Sequence, residues 1–149
     1  MQNLPDTPYH AAIAALALEI GLEPQGLAKC EELVIDGIPV ALRASRHAGV
    51  EGMEMACKVG PLPQQPLPVL RLLLQANTLG FITGGATLGL QHGADDVVLA
   101  SAHPLDTPPA ALARACRMLT DIAGIWSAAL QQNFNQADPA PGDTAFFRG

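Results

Sequence analysis

The stretch LPVLRLLLQANTLGFITGGATLGL, residues 67–90, decides how the chain folds. Pro68 suits the first turn of a helix, where its missing N–H removes no bond, and Gly80 suits the left-handed residue just past a helix end. Between them the sequence predicts about three turns of helix. On a wheel of 100° per residue, Arg71, Gln75 and Thr78 share one narrow arc, while Leu67, Val69, Leu70, Leu72, Leu73, Leu74, Ala76 and Leu79 take nearly all the rest. Such a helix needs cover on more than one side. Either a second copy covers the flanking leucines, or the chain wraps the helix entirely in its own fold. A small monomer seldom exposes so large an apolar patch. Covering three or four more large aliphatic side chains, at roughly 1.5–3 kcal/mol each, is a strong drive to associate. The expectation is therefore a homodimer through this central helix.

Working outward, Gly84-Gly85 makes a turn, and Ala86, Leu88 and Leu90 alternate with Thr87, Gly89 and Gln91 as a strand. The segment 92–96 turns the chain, and Val97 to Ala102 forms a further strand whose continuous apolar character suggests cover on both faces. Upstream, Gly60-Pro61-Leu62-Pro63-Gln64-Gln65-Pro66 reads as a stiff connector. Before it, Glu31–Ile35 and Ile38–Leu42 flank Asp36-Gly37, the strongest short hairpin signal available. Pro39 cannot donate to a ladder, so its nitrogen should face away from a neighbouring strand or sit at a bulge. After a turn at Gly49 to Gly52, Met53, Met55, Cys57 and Val59 alternate with Glu54, Ala56 and Lys58, the pattern of a sheet with one dry and one wetter face. The methionines read as core filling or as a forgiving surface for varied peptides.

Both ends read as helical. Thr7-Pro8 caps a first helix that runs to Ile20 and stops at Gly21. Ile13, Leu16 and Ile20 line its core face, and Ala11, Ala14, Ala15, Leu18 and Leu22 form a second, shallow apolar strip. Thr107, Pro108 and Pro109 start a last helix with the stripe Leu112, Cys116, Leu119, Ile122, Ala123, Trp126 and Leu130. Residues 1–134 thus form one α+β domain: helix, three antiparallel strands, helix, two strands, helix. Residues 135–149 have no periodicity and read as a flexible C-terminal tail, with Phe146 and Phe147 as a possible docking element.

A chain of 149 residues suits one core. A net charge of −6 with only Lys29 and Lys58 as lysines argues against a nucleic-acid partner and suits a basic polypeptide or simple solubility. The sequence lacks an uncharged apolar run long enough to span a membrane and a secretory signal pattern, so a cytoplasmic protein without membrane insertion is expected. Cys30, Cys57 and Cys116 are too dispersed for a disulfide framework or a closed zinc site.

No convergent chemistry emerges. Thr83-Gly84-Gly85-Ala86-Thr87 lacks the lysine and the following helix of a phosphate loop. His10, His47, His92 and His103 read as solvated residues in loops or at element ends. Asp95 and Asp96 read as turn formers. Cys57 with His47 or His92 is the one arrangement from which a thiol enzyme or small-ligand protein could be built, although an alternating strand gives a nucleophile no activation. The expectation is a protein that is not an enzyme and needs no cofactor or metal.

Taken together, Leu72-Leu73-Leu74-Gln75-Ala76-Asn77 followed by Gly84-Gly85-Ala86-Thr87-Leu88-Gly89-Leu90, with this order of elements, resembles the class I type III secretion chaperones, the family of the Tir chaperone. The resemblance spans about Tyr9 to Leu130. It implies a homodimer in the bacterial cytoplasm that binds the N-terminal, largely unfolded region of a secreted effector and keeps it soluble and export-competent. By the same match, Leu70, Leu73, Leu74, Asn77 and Leu79 of the central helix, with Leu88 and Leu90 of the next strand, would fall at the dimer contact. The effector is expected on distributed apolar contacts and at an open sheet edge. Leu18, Leu22, Val34, Val40, Leu42, Met53 and Met55 are the candidates for those contacts. An adaptor that binds a folded component of the secretion machinery is the remaining alternative.

Overall fold

Asp36 and Gly37 both adopt positive φ, 50° and 81°, the geometry of a two-residue hairpin turn. They join β1 (Glu32–Ile35) to β2 (Ile38–His47) with Ile35 opposite Ile38 and Leu33 opposite Val40. In this computed structural model, which describes residues 7–134, β3 (Val50–Pro61) pairs next to β2. The expected tail, residues 135–149 with Phe146 and Phe147, lies outside the described residues. With β4 (Thr87–Leu90) and β5 (Asp96–Pro104), the strands form an antiparallel sheet in the order β1-β2-β3-β5-β4. Pro39 pairs with Val34 and has no partner in β3, whose pairing to β2 starts at Ala41. A residue without an N–H ends that ladder at no cost.

Thr7 caps α1 (Pro8–Ile20), accepting from the His10 N–H, and Gly21 closes it. A short helix, α2 (Pro24–Cys30), follows that sequence reading missed. Its markers are local: Glu23 accepts from the N–H groups of Gln25 and Gly26, and Pro24 opens the first turn. The central helix α3 (Leu67–Leu79) leads through a single 3-10 turn, Phe81–Thr83, into β4, and α4 (Pro109–Phe134) ends the described chain.

One face of the sheet is dry. Leu33, Val40, Leu42, Met53, Met55, Cys57, Val59, Leu88, Val97 and Leu99 are buried with Ile13 and Leu16 of α1 and the Leu112, Cys116, Leu119, Ala123, Trp126 and Leu130 stripe of α4. The Cys116 thiol donates to the Met55 sulfur at 3.4 Å within this core. Gly84 explains the double glycine: its φ is +63°, and a Cβ there would lie 2.5 Å from Ile122 Cδ1 of α4.

Three strand readings are corrected. β2 and β3 are longer than expected, and β3 carries on through Gly60-Pro61 because those residues still pair with Val97 and Asp96 of β5. β5 is not covered on both faces, since Val98 and Ala100 turn to the open side and stay partly exposed.

Candidate functional site

The open face of the sheet carries a row of small side chains across the strands. Ala41, Ala56 and Ala100 are in register, with Glu32 at the β1 end and Thr87 at the β4 end. They floor a trough of about 770 Å³ with charged walls. Arg43 pairs with Glu54 on one side, and Lys58 pairs with Asp96 at 3.3 Å on the other.

At the edge of that face lies β1. The Leu42 N–H donates to the Glu31 carbonyl at 2.8 Å, so Glu31 points its backbone groups toward β2, as do Leu33 and Ile35 by the alternation of an antiparallel ladder. The groups of Glu32 and Val34 therefore point outward, away from the sheet. Val34 is 60% exposed, and among the described residues no side chain bonds those outward groups. This is an unsatisfied edge of the kind that accepts a further strand.

A third feature is the outer surface of α3. Val69, Leu73 and Ala76 turn inward, whereas Leu67 (71% exposed), Leu74 (69%) and Leu79 stand in solvent, with Leu70 half-buried beside them. Leu67 and Leu74, seven residues apart, share one strip. Leu90 of β4 and Ile82 of the 3-10 turn are exposed as well.

The structure sorts the candidate residues by what already covers them. Leu18, Leu22 and Val34 are exposed and available to a partner. Val40, Leu42, Met53 and Met55 are not, because they face α1 and α4 in the chain's own core. The methionines are core filling. Of the residues expected at a dimer contact, Leu74, Leu79 and Leu90 are exposed and Leu70 is half-buried, but Leu73 (4%) and Leu88 are covered by their own chain. Asn77 is engaged inside the chain too: its side chain bonds both backbone groups of Leu88. Leu67, the most exposed leucine of α3, is an addition to the set.

The thiol alternative fails on position. Cys57 is buried, and burial pushes its pKa up to about 11, so at neutral pH it is a protonated thiol with no path to a substrate. Cys116 is pushed up to about 12, by burial first and by the nearby Cys57 second. Among the described residues no group of three or more His, Cys, Asp or Glu is placed to hold a metal ion, and no helix is long and apolar enough to cross a membrane. His103 is not a solvated histidine. It is half-buried on β5, hydrogen-bonded to the Ser101 hydroxyl at 2.9 Å, and burial lowers its pKa.

This α+β fold has known counterparts. The structure resembles that of a HopA1–SchA chaperone–effector complex, with a TM-score of 0.62 and 15% identity over 86% of this chain and 99% of that one. It resembles the ExsC–ExsE complex at a TM-score of 0.58 and 18% identity, over 80% and 90% of the two chains. A third counterpart is the Yersinia pestis type III secretion chaperone SycH in complex with a fragment of YscM2, at 0.55 and 23%, over 77% and 96%. The profile of the Tir chaperone protein (CesT) family matches residues 12–127, and the chain belongs to that family. No curated protein matches it by sequence. The likeness read from residues 72–77 and 84–90 to class I type III secretion chaperones therefore holds.

Proposed function

We propose that this protein is a cytoplasmic chaperone of a bacterial type III secretion system that binds the N-terminal, extended region of an effector as a homodimer and keeps it soluble for export. The observation that carries the reading is the β1 edge, where Glu32 and Val34 present backbone groups unpaired among the described residues, beside an exposed apolar side chain. Family membership supports it, as does the likeness to chains solved in complexes with effectors or other partner proteins.

Magnitudes set the form of binding. The outward groups of Glu32 and Val34 allow up to four hydrogen bonds, worth about 0.5–1.5 kcal/mol each net. Ordering a client segment of about eight residues costs roughly 1–2 kcal/mol per residue in backbone entropy alone. Strand pairing by itself is therefore too weak. Apolar contacts must supply the remainder, at about 1.5–3 kcal/mol per large side chain covered. Leu18, Leu22 and Val34 are the exposed positions from which they would come. A long, unfolded client satisfies this requirement and a short peptide does not.

Dimerisation rests on the α3 strip. Leu67, Leu70, Leu74 and Leu79, with Leu90, would be the surface that a second copy covers, giving the assembly two β1 edges. The test is co-expression with roughly the first 50–100 residues of a secreted effector encoded nearby, a length suited to a client that orders on binding. A soluble complex that is lost on Val34→Pro, which removes an outward N–H, is the expected result. Failure of every such segment to co-purify with the wild type would refute the function.

A further inference from the structure

The two ends of the sheet are not equivalent. β4 is its other terminal strand, and such a strand ordinarily leaves a row of N–H and C=O groups open to another chain. Here one rung of that row is taken. Asn77, in the last turn of α3, donates from Nδ2 to the Leu88 carbonyl at 2.8 Å, and its Oδ1 accepts from the Leu88 N–H at 2.8 Å. A carboxamide offers one donor and one acceptor side by side, as a residue of a neighbouring antiparallel strand would. Asn77 thus stands where a sixth strand would stand.

Both groups of Leu88 point away from β5, so those of Thr87 and Gly89 point toward it, and the next outward position is Leu90. An added strand would need Leu88 and Leu90 as successive anchors, and the first is occupied. β4 runs only from Thr87 to Leu90, which leaves no other outward position within the strand. The body of α3 also lies against β4. At β1 the outward groups of Glu32 and Val34 meet no comparable side chain among the described residues.

We infer that Asn77 is a positioning residue that closes the β4 end of the sheet, so that strand addition is confined to β1. For a client this rests on the strand-addition reading above; the closure of β4 does not depend on it. Removing the carboxamide re-exposes Leu88 beside Leu90 and creates a second sticky edge, through which copies of this chain would pair.

The experiment compares the full-length wild type with Asn77→Leu, similar in volume but unable to bond, and the milder Asn77→Ser, too short to make both bonds. Sedimentation velocity across a concentration series and amide hydrogen exchange of the segment 87–90 are the readouts. Both variants are expected to form species larger than those of the wild type. The Leu88 amide of their smallest species should exchange about tenfold faster, the equivalent of one lost hydrogen bond. Adding Gly89→Lys, where a new side chain meets nothing within 4 Å and no bond to β5 is lost, sets like charges against each other when two β4 edges meet and should restore the wild-type sedimentation profile. A general loss of stability would not be rescued in this way. Variants that sediment as the wild type does, or larger species that persist after Gly89→Lys, would overturn the closure of β4. Neither result bears on co-purification of a client with the wild type, so the two proposals fail separately.

Discussion

At the scale of single residues, the three cysteines differ in ways that chemistry can read. Cys30 is exposed, whereas Cys57 and Cys116 are buried with raised pKa values. In native protein at neutral pH a thiol reagent is expected to label Cys30 quickly and the other two only on unfolding, as mass spectrometry would record; rapid labelling of Cys57 would revive the thiol-enzyme alternative. Gly84 makes a second prediction. Substitution by alanine strains a positive φ and drives a methyl group against Ile122, so Gly84→Ala should destabilise the fold by about 1–3 kcal/mol in urea denaturation. His103 sets a pH dependence. Its folded pKa lies below the ordinary 6.5 because it is partly buried, so the unfolded chain binds the extra proton first. Its contribution is complete above the unfolded value and is lost as pH falls below 6.5 toward the folded one. His103→Gln should flatten the fall of melting temperature in that window. Individual burial was only partly legible. The two-residue hairpin fixes Leu33 opposite Val40 and Val34 opposite Pro39, so parity alone separates Val34 from Val40 and Leu42. That parity does not tell which face the helices cover. The bonds between Asn77 and Leu88 had no sequence signal at all, because they depend on how the turn after α3 folds back.

At the scale of elements, α3 carries the sharpest test. Its length and its position between Pro68 and Gly80 could be read directly, but almost every position is apolar, so periodicity could not say which leucines face inward. The structure separates them, and the separation is measurable. Leu73→Asp places a charge in the chain's own core and should cost several kcal/mol of stability, with loss of the thermal transition. Leu74→Asp sits on the exposed strip. It should leave the fold and its melting curve close to the wild type while shifting light scattering from dimer to monomer. An unchanged particle mass for Leu74→Asp would count against the proposed dimer contact on α3. α2 escaped notice for the opposite reason: seven residues that include Gly26 are too few to show a period, and only Pro24 and the Glu23 cap mark its start.

At the scale of the whole molecule, the four helices and five strands of the described residues place a dry core on one side of the sheet and a shallow, charge-walled face on the other. The order of the main elements was visible from residue types alone, because each hairpin, cap and turn is local chemistry. What the sequence withheld was tertiary: the sheet order, the turning of α3 onto β4, and thus which terminal strand stays open. The shortness of β1, only four residues, sets a limit of its own. Two copies meeting there edge to edge would gain a handful of weak bonds and, unlike at β4, where Leu90 is exposed alongside α3, little greasy area, too small a reward to keep them together. A long floppy passenger can touch that landing strip and continue past it, collecting contacts elsewhere as it goes. On the proposed reading, so modest a foothold would keep idle copies from building filaments and still give an unfolded cargo a place to start.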